Sequence, residues 1–225
     1  MKRVIGVDVL TTVEELAAPG RVAVLVIDVQ NACFNSIGGF EGNGSDGDAD
    51  VANMTPIIPR IGQLLEAARA RGILIAYTEF IHRNRLGVTL MDGPNNYCVR
   101  NNPDQPDVVE GSWEARTVDE LAPQDGDVVI GKSRGSSFYQ TPLDNILKAR
   151  GIGTVLLTGV LSAGCVLFTA ADAMHHGYYP LVVRDCVASY SQEAHMQALI
   201  WMETQFPVFD LGTVLAVWEG QDRES

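Results

Sequence analysis

Three residues in this chain are of types that can do chemistry and stand where a fold could bring them together. Asp28 closes the apolar run "RVAVLVIDVQ", Lys132 closes "GDVVIGK", and Cys165 follows "GTVLLTG" in the stretch "LLTGVLSAGCVLFTAADAM". A thiol with its ordinary pKa of about 8.5 is mostly protonated at neutral pH, so it needs help to act as a nucleophile. The predicted helix that begins around Cys165 offers backbone N–H groups and a positive dipole end, both of which favour a thiolate. Lys132 adds Coulomb attraction. Asp28 is suited to accept the thiol proton and later to deliver a proton to a leaving group. Amides around the cysteine turn could hold an oxyanion. Together these parts describe acyl transfer without a metal. Each residue also has a plainer reading. Free cysteine is among the most buried residue types, Asp28 could cap a following helix, and Lys132 could be an exposed charge.

The elements that must position them follow from periodicity. "RVAVLVIDVQ", "ILIAYTEF", "GDVVIGK", "GTVLLTG" and "YYPLVVRD" are short apolar, β-branched runs of the kind that form buried strands, and "PVFD" is a short sixth. Between them, "MTPIIPRIGQLLEAARARG" carries apolar residues at helical spacing with Gly72 as its stop. "TPLDNILKARG" reads as a helix with Thr141 as N-cap, Pro142 in first position, Asp144 at the capping-box position and Gly151 at its end. "AGCVLFTAADAMHHG" and "SQEAHMQALIWMETQ" are two further helices, the latter capped by Ser191. Strands alternating with helices predict an α/β fold, a parallel sheet covered on both faces. In such a sheet every strand opens its C-terminal end on one edge, where ligands bind, so Asp28, Lys132 and Cys165 share that edge. Two longer loops, residues 35–53 and 82–113, follow strand ends and are expected to be walls or lids of the site, or to reach across a subunit interface.

The 225 residues suit one domain, taken as 1–225 with its core at about 21–210, and 46% are hydrophobic. The formal net charge of −12 opposes binding to nucleic acid or anionic membranes. No apolar run has the length of a membrane span, and the N-terminus lacks the apolar middle of a signal peptide, so a cytoplasmic protein is expected. The four cysteines (Cys33, Cys98, Cys165, Cys186) have no CxxC spacing. No dinucleotide or P-loop motif follows the first strand. His82 and His195 are isolated in sequence, and His175 and His176 suit a helix end. No metal-ligand spacing is present. Neither a metal nor a cofactor is expected.

These residues resemble the isochorismatase-like superfamily of cysteine hydrolases, whose D-x-Q-N, lysine and G-[VI]-x-[ST]-x-x-C-V motifs read here "IDVQNACF", "IGKSRGSSF" and "TGVLSAGCV". The likeness runs from about Arg21 to Phe209. It implies a three-layer α/β/α fold with a six-stranded parallel sheet. It also implies a triad of Asp28 (proton relay), Lys132 (electrostatic support) and Cys165 (nucleophile). A cis peptide would fall at Val160–Leu161, an oxyanion hole at the N–H groups of Leu161 and Cys165, and the chain would form a homodimer or homotetramer. The segment "EGSWEARTVDELAPQDGDVVIGKSRGSSFYQTPLDNILKARGI" is most similar to the ureidoacrylate amidohydrolase branch. Two features depart from it: Ser162-Ala163-Gly164 is smaller than usual beside the nucleophile, and Gly135 stands where an aromatic is common. The nicotinamidase metal cluster is not reproduced in "YTEFIHRN", and the presence of Cys165 separates the chain from true isochorismatases.

The expected function is therefore hydrolysis of a C–N bond in a small linear ureide, carbamoyl compound or amide through a thioester, releasing ammonia or carbamate. Alternatives are a biuret-like or nicotinamide-like amide hydrolase of the same superfamily, or a noncatalytic binding protein on the same fold. Asn31, Phe34, Trp113, Arg134 and Tyr139 are the candidates to contact the substrate.

Overall fold

The computed structural model describes residues 1–34, 47–90 and 108–222. The chain starts with an exposed hairpin of β1 (Lys2–Val4) and β2 (Val7–Val9), turned by Ile5 and Gly6, both at positive φ. The short helix α1 (Val13–Leu16) follows, closed by a capping box in which Thr12 and Glu15 satisfy each other's backbone N–H groups. Next comes β3 (Val22–Ile27), buried at all six positions. Val22, Val24 and Val26 enter the core on one face of the sheet, and Ala23, Leu25 and Ile27 enter the core on the other. That is the period-two signature of a strand covered on both sides.

The remaining elements are α2 (Asn31–Phe34), α3 (Gly47–Met54), α4 (Ile57–Arg69), β4 (Leu74–Phe80), β5 (Val128–Lys132), α5 (Leu143–Ala149) and β6 (Thr154–Val160). After them come α6 (Leu167–His175), β7 (Tyr179–Ala188), α7 (Gln192–Gln205), β8 (Val208–Phe209) and α8 (Leu211–Asp222). The six strands from β3 onward form a parallel sheet in the order β5-β4-β3-β6-β7-β8. α4 and α8 pack on one face through Ile57, Ile61, Leu64, Leu65 and Trp218, and α5, α6 and α7 pack on the other through Leu143, Leu147, Ala170, Ala173 and Met202. The expected six-stranded parallel α/β architecture is therefore the one observed.

The order reverses between β3 and β6: the chain leaves β3 toward β4 on one side and later returns to β6 on the other. Such a switch point opens a crevice at the C-terminal edge of the sheet. Gly159 allows the two strands to meet there. It holds φ +103°, and a Cβ at that position would lie 2.1 Å from the Ile27 carbonyl oxygen.

Several sequence expectations move. Residues 47–53, expected as loop, belong to α3, while 35–46 and 91–107, with Cys98, lie outside the described residues. Helix α5 begins one residue later than expected. Pro142 takes the cap position, the Thr141 hydroxyl accepts from the Leu143 N–H, and Asp144 receives Lys148 and the Tyr178 hydroxyl instead of closing a capping box. The helix expected from Ala163 starts at Leu167, because residues Ser162–Val166 form a wide turn kinked at Gly164. Among the described residues, no helix is long and apolar enough to cross a membrane.

Candidate active site

Asp28 is the residue immediately after β3, Lys132 ends β5, and Cys165 lies in the wide turn that follows β6. Lys132 starts two strands away from Asp28, since β4 lies between them. Its side chain crosses the ring of Phe80, with Nζ 4.7 Å from the centroid, and places Nζ 2.7 Å from Asp28 Oδ2. The same Nζ is 3.4 Å from Cys165 Sγ. The carbonyls of Arg134 and Gly135 accept from it at 3.0 and 3.1 Å. The ammonium, wholly removed from solvent, is thus held by an anion, two carbonyls and an aromatic face, the compensation a buried charge requires.

Asp28 adopts φ +55°, a conformation that Asp tolerates better than most residues. Its N–H donates to the Thr78 carbonyl and its Oδ1 accepts from the Thr78 hydroxyl at 2.8 Å. Both oxygens of the carboxylate are therefore placed. Burial pushes the Cys165 thiol up to about 12; Lys132 draws it down, and the charge of Asp28 together with a hydrogen bond from the thiol to it raises it. The Cys165 thiol thus meets both charges: burial and Asp28 oppose the pull of the Lys132 ammonium toward a thiolate. Burial alone would depress Lys132, but Asp28 and Cys165 more than offset it and the net direction is up, so the ammonium stays charged.

The Val160–Leu161 peptide is cis, at the position the family resemblance implied. The Leu161 carbonyl accepts from the N–H groups of Gly164 and Val166 at 2.9 and 3.1 Å, which folds the turn tightly around the two N–H groups expected to form an oxyanion hole, those of Leu161 and Cys165. Below the turn, the fully buried Ser162 hydroxyl meets His195 Nδ1 of α7 at 2.9 Å. His195, isolated in sequence, is therefore engaged in space, and burial lowers its pKa.

The five candidate substrate contacts are dispersed. Asn31 is buried and its amide donates to the Trp113 carbonyl, while the Trp113 ring is 46% exposed. Phe34 packs against the edge of the core. Arg134 donates to the Leu90 and Ser133 carbonyls, and it shares a surface groove with the half-exposed Tyr139. Arg134 touches the triad only through its backbone carbonyl.

Residues that the sequence reasoning passed over also build the site. Gln30 is buried, donates to the Phe80 and Ala115 carbonyls and accepts from the Phe80 N–H, so it ties the end of β4 to the 113–117 segment. A glutamine two residues past a strand's last acid was the available signal. Thr78, buried between Tyr77 and Glu79 near the end of β4, was another. Among the described residues, no group of three or more His, Cys, Asp or Glu side chains could hold a metal ion.

Comparison with known proteins finds relatives over most of the chain. The model of the isochorismatase domain matches residues 22–210. Ureidoacrylate amidohydrolase RutB of Methylobacterium radiotolerans is 35% identical over 198 residues, which cover 84% of this chain and 75% of that protein. An isochorismatase-like hydrolase from Alkaliphilus metalliredigens superposes with a TM-score of 0.67 at 28% identity, covering 88% of this chain and 99% of that one. N-carbamoylsarcosine amidase from Thermoplasma acidophilum does so with a TM-score of 0.64 at 26% identity, covering 85% and 96%.

Proposed function

The chain belongs to the isochorismatase family, and from that premise we propose that it is a cysteine amidohydrolase that cleaves the C–N bond of a small linear ureide, carbamoyl compound or amide, ureidoacrylate-like in kind. The observation that carries this reading is one buried ammonium touching both a carboxylate and a thiol at the switch point of the sheet. The names of two relatives, a ureidoacrylate amidohydrolase and an N-carbamoylsarcosine amidase, support the ureide class.

In the proposed mechanism Asp28 takes the thiol proton as Cys165 Sγ attacks the carbonyl carbon. The positive charge of Lys132 balances the carboxylate and the developing thiolate. The N–H groups of Leu161 and Cys165 receive the oxyanion. Collapse breaks the C–N bond, and the proton held by Asp28 passes to the departing nitrogen, which leaves as ammonia or an amine. Water, deprotonated by Asp28, then opens the thioester and restores the thiol. No residue set for a metal or cofactor is assigned to any step. The protein acts as a single domain, in the cytoplasm, as a homodimer or homotetramer.

An ammonia-release screen across ureides, carbamoyl amino acids and primary amides tests the reading, with Cys165→Ser as control. The parent releases ammonia from at least one ureide. The serine variant keeps its thermal transition and loses nearly all turnover, because an alcohol lacks both the intrinsic nucleophilicity and the acidity of a thiol. Exhaustive chelation leaves the parent rate unchanged. Near-normal turnover in Cys165→Ser sinks the mechanism.

A further inference from the structure

Phe168 is a large apolar side chain that contributes nothing to the two main cores: its residue surface is 54% exposed. Single exposed aromatics are ordinary on a protein surface, so exposure by itself assigns no role. What singles this ring out is the residue beneath it. The φ of Gly135 lies outside the left-handed range, so its φ does not call for glycine. Space does: a Cβ at 135 would lie 2.5 Å from Phe168 Cδ2 and 3.2 Å from Cε2. The ring rests where the side chain of residue 135 would otherwise be.

Both partners of this contact are joined to the nucleophile. Gly135 gives its carbonyl to Lys132 Nζ at 3.1 Å, and that Nζ is 3.4 Å from Cys165 Sγ. Phe168 stands three residues after Cys165, with Val166 and Leu167 between them in right-handed helical conformation. That spacing puts residues 165 and 168 on one face, one turn apart. Phe168 and Gly135 themselves line a groove of about 320 Å³, together with Arg134, Tyr139 and Asp172.

We propose that Phe168, seated on Gly135, is a specificity-determining residue: the ring narrows the approach to Cys165 so that slender linear amides and ureides enter and amides with bulky or aromatic nitrogen substituents are turned away. This rests on Cys165 as the nucleophile of the proposed function. Residues 168 and 135 act as a pair, the bulk on the helix requiring its absence on the loop.

Labelling of Cys165 by a slim and a broad electrophile tests the pairing without any turnover. Iodoacetamide and N-benzylmaleimide are reacted with the full chain, and modification of the Cys165 peptide is followed by mass spectrometry. Phe168→Ala raises the maleimide-to-iodoacetamide rate ratio at least about tenfold, the scale on which a pocket discriminates by size, and Phe168→Leu falls between. Gly135→Ala also raises the ratio, because its methyl group unseats the ring, but changes nothing further in the Phe168→Ala background. An unchanged ratio in Phe168→Ala, or an equal effect of Gly135→Ala in both backgrounds, overturns the proposal. A ratio that shifts as expected in a protein that releases no ammonia from any amide would leave Phe168 as the entrance and reject the amidohydrolase reading instead.

Discussion

Lys132 and Asp28 touch each other and both act on the Cys165 thiol, with opposite sign. The ammonium pulls the thiol pKa down, whereas the carboxylate raises it by charge and by hydrogen bond. Turnover falls when either is removed, so activity alone cannot separate them. Alkylation can. Lys132→Met should slow iodoacetamide labelling of Cys165 throughout the measured pH range. Asp28→Asn should accelerate labelling while abolishing turnover, because thiolate forms more easily but no group remains to protonate the leaving nitrogen. At a pH well below the thiol pKa, the thiolate fraction changes about tenfold when that pKa moves by about one. Rates measured from about pH 6 to about pH 9.5, a span that lies below the raised thiol pKa, should therefore stay offset from the parent, upward in Asp28→Asn and downward in Lys132→Met. Rates that move in the same direction would break the assignment of opposite roles. Lys132→Met also leaves a buried carboxylate unpaired, at a cost of about 3–5 kcal/mol, so its thermal transition is recorded beside its labelling rate.

At the level of elements, the close approach of β3 and β6 is what brings Asp28 and the cysteine turn together, and Gly159 permits it. Gly159→Ala would set a methyl group against the Ile27 carbonyl and strain a φ of +103°. The expected cost is at least about 3 kcal/mol, or about 6–12 °C in the unfolding midpoint of a chain this size. A calorimetric midpoint within about 2 °C of the parent, on the same scale, would show that the strands are free to separate at no cost. The strands themselves were legible in the sequence because they are buried on both faces and read as continuous apolar runs. The grouping of Asp28, Lys132 and Cys165 was legible because each stands at a strand's C-terminal end or in the turn that follows one. The rest was hidden for physical reasons. The N-terminal hairpin is almost wholly exposed, and Lys2–Val4 and Val7–Val9 are too short to carry a readable pattern. Helix α8 was missed although Leu211, Val214 and Trp218 stand at helical spacing, all buried, with the Trp218 indole donating to the Ala17 carbonyl. The Ser162–His195 contact joins residues 33 apart, and no local pattern encodes such a pairing. The elevated thiol pKa was missed for a related reason: helix ends and neighbouring charges can be read from sequence order, whereas desolvation depends on the packing of the whole site.

The molecule as a whole carries a formal charge of −12, and that field acts on any charged substrate before it reaches the crevice. A ureide bearing a carboxylate is an anion at neutral pH and approaches against the field. A neutral amide or ureide is indifferent to it. Among the described residues, the cations joined to the Cys165 site include Lys132, already paired with Asp28 and removed from solvent, and Arg134, whose guanidinium also braces the Leu90 and Ser133 carbonyls. Long-range repulsion therefore dominates until the anion is within a few ångströms of Arg134. Salt shortens the reach of that repulsion from about 30 Å at 0.01 M to about 8 Å at 0.15 M. Raising sodium chloride over this range should increase kcat/KM for a carboxylated ureide about twofold or more, mainly through KM, and leave a neutral amide of the same size within experimental error. Arg134→Gln should raise KM for the carboxylated ureide and keep its salt dependence, since the field arises from the whole surface. If salt instead lowers kcat/KM for the anionic substrate, a local cationic funnel outweighs the net charge, and the same Arg134→Gln variant should then lose that salt effect.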